Sequence, residues 1–164
     1  MESNDEQIIK PTGCCPIFEP KPWDEQEHHW DNKLFLRRPI RQIFHIPINF
    51  ASVITSALKT VQTAGVGIDD GLILSDERSA WRSDLMIEVQ RELPGEDMVR
   101  LSGHFLSKVF EGPYKNIGRW ISEMDQFVAI RGHKIRKNYF WYTTCPGCAK
   151  KYGKNYVVIF SQVV

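Results

Sequence analysis

VFEGPYKNIGRW, Val109 to Trp120, holds a strand ending, a glycine–proline turn and a helix start in one run. The run FHIPIN, from Phe44, reads the same way. Phe44 and Phe110 are 66 residues apart, as are Pro47 and Pro113, and Gly65 and Gly132 are 67 apart. His45 then corresponds to Glu111, Ile46 to Gly112 and Ile48 to Tyr114. One junction repeated at a fixed offset points to an internal duplication.

The flanking patterns extend the duplication. Ile40–Ile46 has strand composition. From Asn49 to Ala64, Phe50, Val53, Ile54, Ala57, Leu58 and Val61 recur at helical spacing, which predicts one apolar stripe. Asn49 or Ser52 is expected to cap the start and Gly65 to end it. Gly71–Ser75 and Asp84–Leu93 predict two strands, the second with Leu85, Ile87 and Val89 on one face and Met86, Glu88 and Gln90 on the other. The order then recurs: a strand over Gly103–Glu111, a helix over Pro113–Arg131 with Trp120 and Phe127 widening its stripe, and strands over Asn138–Thr144 and Asn155–Val164. The expected fold class is α+β: tandem duplicated β-α-β-β units, an antiparallel sheet with two main helices and a ligand cleft between the repeats. Residues 1–33 are expected as a proline-punctuated N-terminal arm, pinned by Trp23 and Trp30. Repeat one spans about 34–93 and repeat two about 98–164 of the domain at 34–164.

Composition narrows the function classes. The chain has 164 residues, 42% hydrophobic, 25% charged and 12% aromatic, with a net charge of +1. These values predict one globular domain, and the balanced charge gives no argument for a nucleic-acid partner. No apolar run approaches the ~18 residues of a membrane span, and MESNDEQIIK lacks the apolar stretch of a signal peptide. A cytoplasmic protein without a membrane partner is expected. The sequence shows no nucleotide-binding glycine motif and no nucleophile elbow, so no cofactor is expected.

Four cysteines invite a metal reading. Cys145 and Cys148 form a CxxC that can join Cys14 and Cys15 around zinc, which would make the chain a zinc-stabilised interaction module. Adjacent cysteines chelate awkwardly, and the CxxC lies between two strands rather than at a helix N-terminus, as redox chemistry would require. The plainer reading is a shaped hairpin loop. His28 and His29 are adjacent, so one metal cannot readily use both, and they are read as part of a solvated arm.

Within its tandem repeat, VFEGPYKNIGRW resembles the GyrI-like family, whose second repeat carries a Gly-Pro-Tyr turn before a helix. The similarity covers roughly Leu34 to Val164; the arm and the CPGCAKKYGKN loop lie outside the general pattern. The resemblance implies a pocket between the repeats for aromatic or amphipathic, often cationic, small molecules. It also implies the stand-alone type, some members of which hydrolyse strained rings. Many sensory members carry a glutamate by the last strand, but Tyr156–Val163 has no acid. The acidic role passes to Glu88 or Glu111.

The catalytic candidates are therefore Glu88, Glu111 and Tyr114. A carboxylate can activate water or hold a cation, and a tyrosine hydroxyl can support a leaving oxygen. The plain alternatives are a solvent-facing strand residue for Glu88, a helix-dipole partner for Glu111 and a first-turn core residue for Tyr114. The ligand-binding candidates are Trp81, Trp120, Tyr139, Trp141 and Tyr142, with core packing as the alternative for the two tryptophans Trp81 and Trp120. Alternation puts Tyr139 and Trp141 on one face and Phe140 and Tyr142 on the other; one pair is core and the other is free to stack on a flat ligand or cation. Two functions stay open: a hydrolase of a strained or electrophilic ligand, and a binding or sequestering module without catalysis.

Overall fold

The computed structural model describes residues 18–66, 71–143 and 153–164. The fold is α+β, with two β-α-β-β repeats of antiparallel strands and one main helix each. The chain divides into two compact units: His29–His104, and Phe105–Val164 together with the segment ending at His28. No helix among the described residues is long and apolar enough to cross a membrane.

In the His29–His104 unit, β1 (Gln26–Ile43, entering the unit at His29) pairs antiparallel with β4 (Arg82–Glu88), in register from Phe35 opposite Glu88 to Arg41 opposite Arg82. β3 (Ile73–Glu77) flanks β4 on its other side. The short β2 (Ile46–Pro47) folds back on the end of β1. Helix α1 (Phe50–Thr63) lies on one face, with Ala57 and Val61 buried among Leu34, Leu36, Ile40, Leu85 and Ile87. Of the predicted stripe Ala57 and Val61 are buried and Val53, Ile54 and Leu58 partly so, whereas Phe50, in the first turn, is exposed. Gly65, at φ 67°, ends the helix, and the amides of Ala64 and Val66 donate to the carbonyls of Thr60 and Val61. Asn49 stands at the N-cap, but its side chain does not cap: Oδ1 accepts the Arg41 amide and ties β1 to the helix entry.

In the other unit, β5 (Met98–Glu111, entering at Phe105) pairs with β7 (Tyr156–Val163), and β7 with β6 (Ile135–Tyr142). After Gly112 and Pro113, Tyr114–Asn116 form a 3₁₀ turn and α2 runs Ile117–Ile130. The expected helix began at Pro113; that residue is extended, at ψ 148°, so the α-helix starts four residues later. Trp120, Met124, Phe127 and Val128 are buried against Leu106, Phe110, Phe140, Val157 and Ile159.

The duplication is plainest in the helices, both 14 residues long. The junctions before them differ. Gly112 makes the second turn at φ 136°, with Asn116 and Trp120 so near that a Cβ would sit 3.4 and 3.5 Å from them. In the first repeat two successive residues, Phe44 and His45, take left-handed conformations at φ 47° and 67°. That reverses the chain into a hairpin, so Phe44 is 70% exposed where Phe110 is buried.

β1 begins at Gln26, earlier than the strand expected over Ile40–Ile46. The segment before it is fastened to its own unit through Trp23 and Asp24, whereas Trp30, the other expected pin, is part of β1 itself. Ser107 Oγ donates to the Trp23 carbonyl at 2.6 Å and the Val109 amide to Asp24 Oδ1 at 3.1 Å. The Trp23 ring meets Trp141 edge-on at 5.2 Å and Phe160 at 5.9 Å.

Arg37 donates twice to the Asp97 carboxylate, at 3.0 and 3.2 Å, and its amide donates to the Asp97 carbonyl. The hydrogen bonds from Arg37 hold the Asp97 carboxyl below its ordinary range. A depressed carboxylate contributes stability above its unfolded pKa and loses it as pH falls through the folded value. Because Asp97 is largely exposed, Asp97→Asn is expected to cost less than about 1 kcal/mol near neutral pH. In urea unfolding series the difference from wild type should vanish in acid.

Candidate functional site

β4 alternates strictly. Leu85 and Ile87 enter the core under α1, which turns Met86 and Glu88 to the other face of the sheet. That face is not open to solvent at this end: Glu88 is 3% exposed. Its Oε2 lies 2.5 Å from the Lys33 ammonium on β1, and the Lys33 Nζ stands 5.3 Å above the Trp30 ring. Solvent-facing placement of Glu88 is therefore corrected. A buried carboxylate needs a compensating charge, and Lys33 supplies it.

The pair borders an open surface hollow of about 620 Å³ on the His29–His104 unit, lined among others by His29, Trp30, Asn32, Lys33, Glu88 and Arg91. Asn32 shapes the wall. Its left-handed backbone, φ 52°, interrupts the regular strand between Trp30 and Lys33. Its amide donates to Ser102 Oγ at 2.8 Å, and Arg100 Nη1 donates to its carbonyl at 3.2 Å. Arg100 is in turn paired with Glu92 at 2.9 Å. A buried carboxylate, Glu88, and an ammonium, Lys33, thus stand in contact at the edge of the hollow beside an indole face.

Trp81, the other candidate in this unit, is 56% exposed, tilted against Phe44 at 5.0 Å. His45, the counterpart of Glu111 in the duplication, pairs with Glu77 at 3.2 Å.

The remaining candidates are in the second unit. Glu111 is exposed at the end of β5, opposite Tyr156. Tyr114 is partly exposed in the 3₁₀ turn, edge-on to Tyr142 at 5.4 Å. Trp120 is 2% exposed and stacks on Phe110 at 5.8 Å, deep under the helix. On β6 the two faces separate: Phe140 is in the core with Tyr142 against it, whereas Tyr139 and Trp141 face away. Trp141 is itself covered, by Phe18 at 5.4 Å and Trp23 at 5.2 Å. Cys14, Cys15, Cys145 and Cys148 lie outside the described residues.

Sequence reasoning missed Lys33 and Trp30. Both fell in the segment assigned to the arm, and Lys33 meets Glu88 through a pairing of β1 with β4 that no local pattern announces. The one available signal was a lysine directly before the apolar run Leu34–Phe35–Leu36.

A family model described as bacterial hydrolase matches residues 5–163. No curated protein matches the chain. Similar solved structures include an uncharacterized conserved protein from Listeria innocua, 13% identical with a TM-score of 0.65 over 86% of this chain and 92% of that one. A hydrolase from Listeria innocua is 15% identical, with a TM-score of 0.61 over 90% and 94%. The C-terminal domain of EcmrR is 10% identical, with a TM-score of 0.65 over 87% and 98%. At such identities the likeness shows a common fold.

Proposed function

Because the chain belongs to the bacterial hydrolase family, matched over residues 5–163, we propose that it hydrolyses a small electrophilic molecule bound in the surface hollow of the His29–His104 unit. The observation that carries this reading is the contact between Glu88 and Lys33 at the edge of the hollow. In the proposed step Glu88 takes a proton from water as the water oxygen attacks an electrophilic carbon of the ligand. Lys33 donates a proton to the departing atom, and proton return from Glu88 to Lys33 resets the pair. Trp30 offers a flat face for an aromatic part of the ligand. On this reading the chain is a GyrI-like protein of the ligand-hydrolysing kind.

The pair also selects the charge of the ligand. Lys33 already compensates Glu88, so a cationic ligand must displace an internal ammonium, whereas a neutral one need not. Neutral aromatic esters, epoxides and activated cyclopropanes are the substrate class this favours. Lys33→Met leaves Glu88 without that ammonium, and a cation can then take its place. Cationic aromatic dyes are expected to bind this variant more than about tenfold more tightly than they bind wild type, from recovery of a single charge contact. Matched neutral dyes should be unaffected. Dye titration of both proteins, with product analysis of the neutral panel, tests the reading. An unchanged dye preference in Lys33→Met, together with no product from any neutral ligand, would remove it.

A further inference from the structure

Nine large apolar or aromatic side chains are exposed among the described residues, and six of them stand at one end of the His29–His104 unit: Ile43, Phe44, Ile46, Ile48, Phe50 and Trp81. Backbone bonds draw their segments together. The Gln42 amide donates to the Trp81 carbonyl at 2.8 Å, the His45 amide to the Ala80 carbonyl at 2.9 Å and the Ile48 amide to the Arg41 carbonyl at 3.0 Å. At about 150–250 Å² per aromatic side chain, Phe44 and Trp81 alone leave roughly 200–300 Å² in water. Single apolar residues at a surface need no explanation, but a contiguous patch marks a contact surface. Two successive left-handed residues, Phe44 and His45, hold the tip outward, and such backbone costs free energy.

The rim of the patch is basic. Ile40–Phe50 and Arg78–Arg82 carry Arg41, His45, Arg78 and Arg82 and no acid. Arg41 and Arg82 stand opposite each other in register, a like-charge pairing that destabilises a sheet. Arg82 pairs with Asp84, and Arg78 with Asp84 and Asp76. Those carboxylates are 2% and 4% exposed, whereas the two arginine side chains are 60% and 43% exposed, so the positive ends face water. Glu77 is taken up by Gln42 Nε2 and His45 Nδ1. Arg41 is exposed and makes no ion pair among the described residues. A second copy docking here about a twofold axis would set one arginine rim against the other. An anionic surface would neutralise the rim instead.

We propose that this end of the unit docks on an anionic lipid bilayer. Phe44, Ile46 and Trp81 enter the headgroup boundary, and Arg41, Arg78 and Arg82 meet lipid phosphates. Such a contact needs no membrane-spanning helix, and none is present among the described residues. The inference stands on this surface and not on the hydrolase reading.

The test is cosedimentation of the full chain with vesicles of equal parts phosphatidylglycerol and phosphatidylcholine, and with vesicles of phosphatidylcholine alone. Wild type is expected to bind the anionic vesicles, less tightly as salt rises, and the neutral ones at least about tenfold more weakly. Phe44→Ala/Trp81→Ala should weaken binding by more than about tenfold, which loss of roughly 60 Å² of apolar contact already produces. Arg41→Gln should weaken it about fivefold, the worth of one basic residue at such a surface. Ile130→Ala, which trims a side chain 84% exposed on α2, should match wild type, and circular dichroism checks that each variant is folded. No binding of wild type to anionic vesicles, or equal binding by Phe44→Ala/Trp81→Ala, would overturn the proposal. So would a wild-type dimer that this variant loses, found without vesicle binding.

Discussion

Trp120→Ala is expected to lower the free energy of unfolding by about 3–5 kcal/mol, the range for emptying a buried tryptophan site. The side chain is 2% exposed and stacks on Phe110 at 5.8 Å with planes 23° apart. It also lies against the turn before its own helix, close to Gly112. Its loss would therefore open the core beneath α2 and loosen the strand-to-helix junction together. Trp120→Phe should recover much of the stability, because an aromatic ring of similar shape can still stack on Phe110. Urea unfolding monitored by far-ultraviolet circular dichroism gives both values. A loss under about 1 kcal/mol, the typical cost of a point substitution, would mean that Trp120 is not a core residue.

The second large effect is expected at Lys33. Lys33→Ala leaves the Glu88 carboxylate, whose side chain is 4% exposed, without its ammonium. Breaking a buried pair from one side costs about 3–5 kcal/mol, whereas replacing both partners by apolar groups is often neutral. Lys33 is itself 20% exposed, so water can enter where it stood and the cost should fall at the lower end. The paired replacement Lys33→Met/Glu88→Met should be more stable than Lys33→Ala alone. If the double replacement is no better, the pair is held by contacts other than charge compensation.

How much of this could be read from residues follows from the range of each interaction. The two helices are legible because their stripes are local: Val53, Ala57 and Val61 in one, Trp120, Met124 and Val128 in the other, all at helical spacing. The split of β4 into Leu85–Ile87 and Met86–Glu88 faces is equally local. Matched phenylalanines and prolines make the two junctions look equivalent, but the Phe44–His45 hairpin depends on two left-handed residues that carry no glycine to signal them. The facing of Tyr139 and Trp141 was undecidable from alternation alone, since it rests on Phe18 and Trp23 covering one side of β6. Of the candidate site, Glu88 was named from its strand. Its partner Lys33 was not, because it meets Glu88 across more than fifty residues of chain.

In the proposed mechanism the working carboxylate is Glu88, beside Lys33, and not Glu111 at the exposed end of β5. Comparing kcat/KM for wild type, Glu88→Gln and Glu111→Gln on a neutral ligand that wild type hydrolyses tests it most directly. The expected result is a loss of at least about 10²-fold in Glu88→Gln, the scale of a general base, with ligand affinity kept and Glu111→Gln close to wild type. Full activity in Glu88→Gln alongside an inactive Glu111→Gln would contradict it.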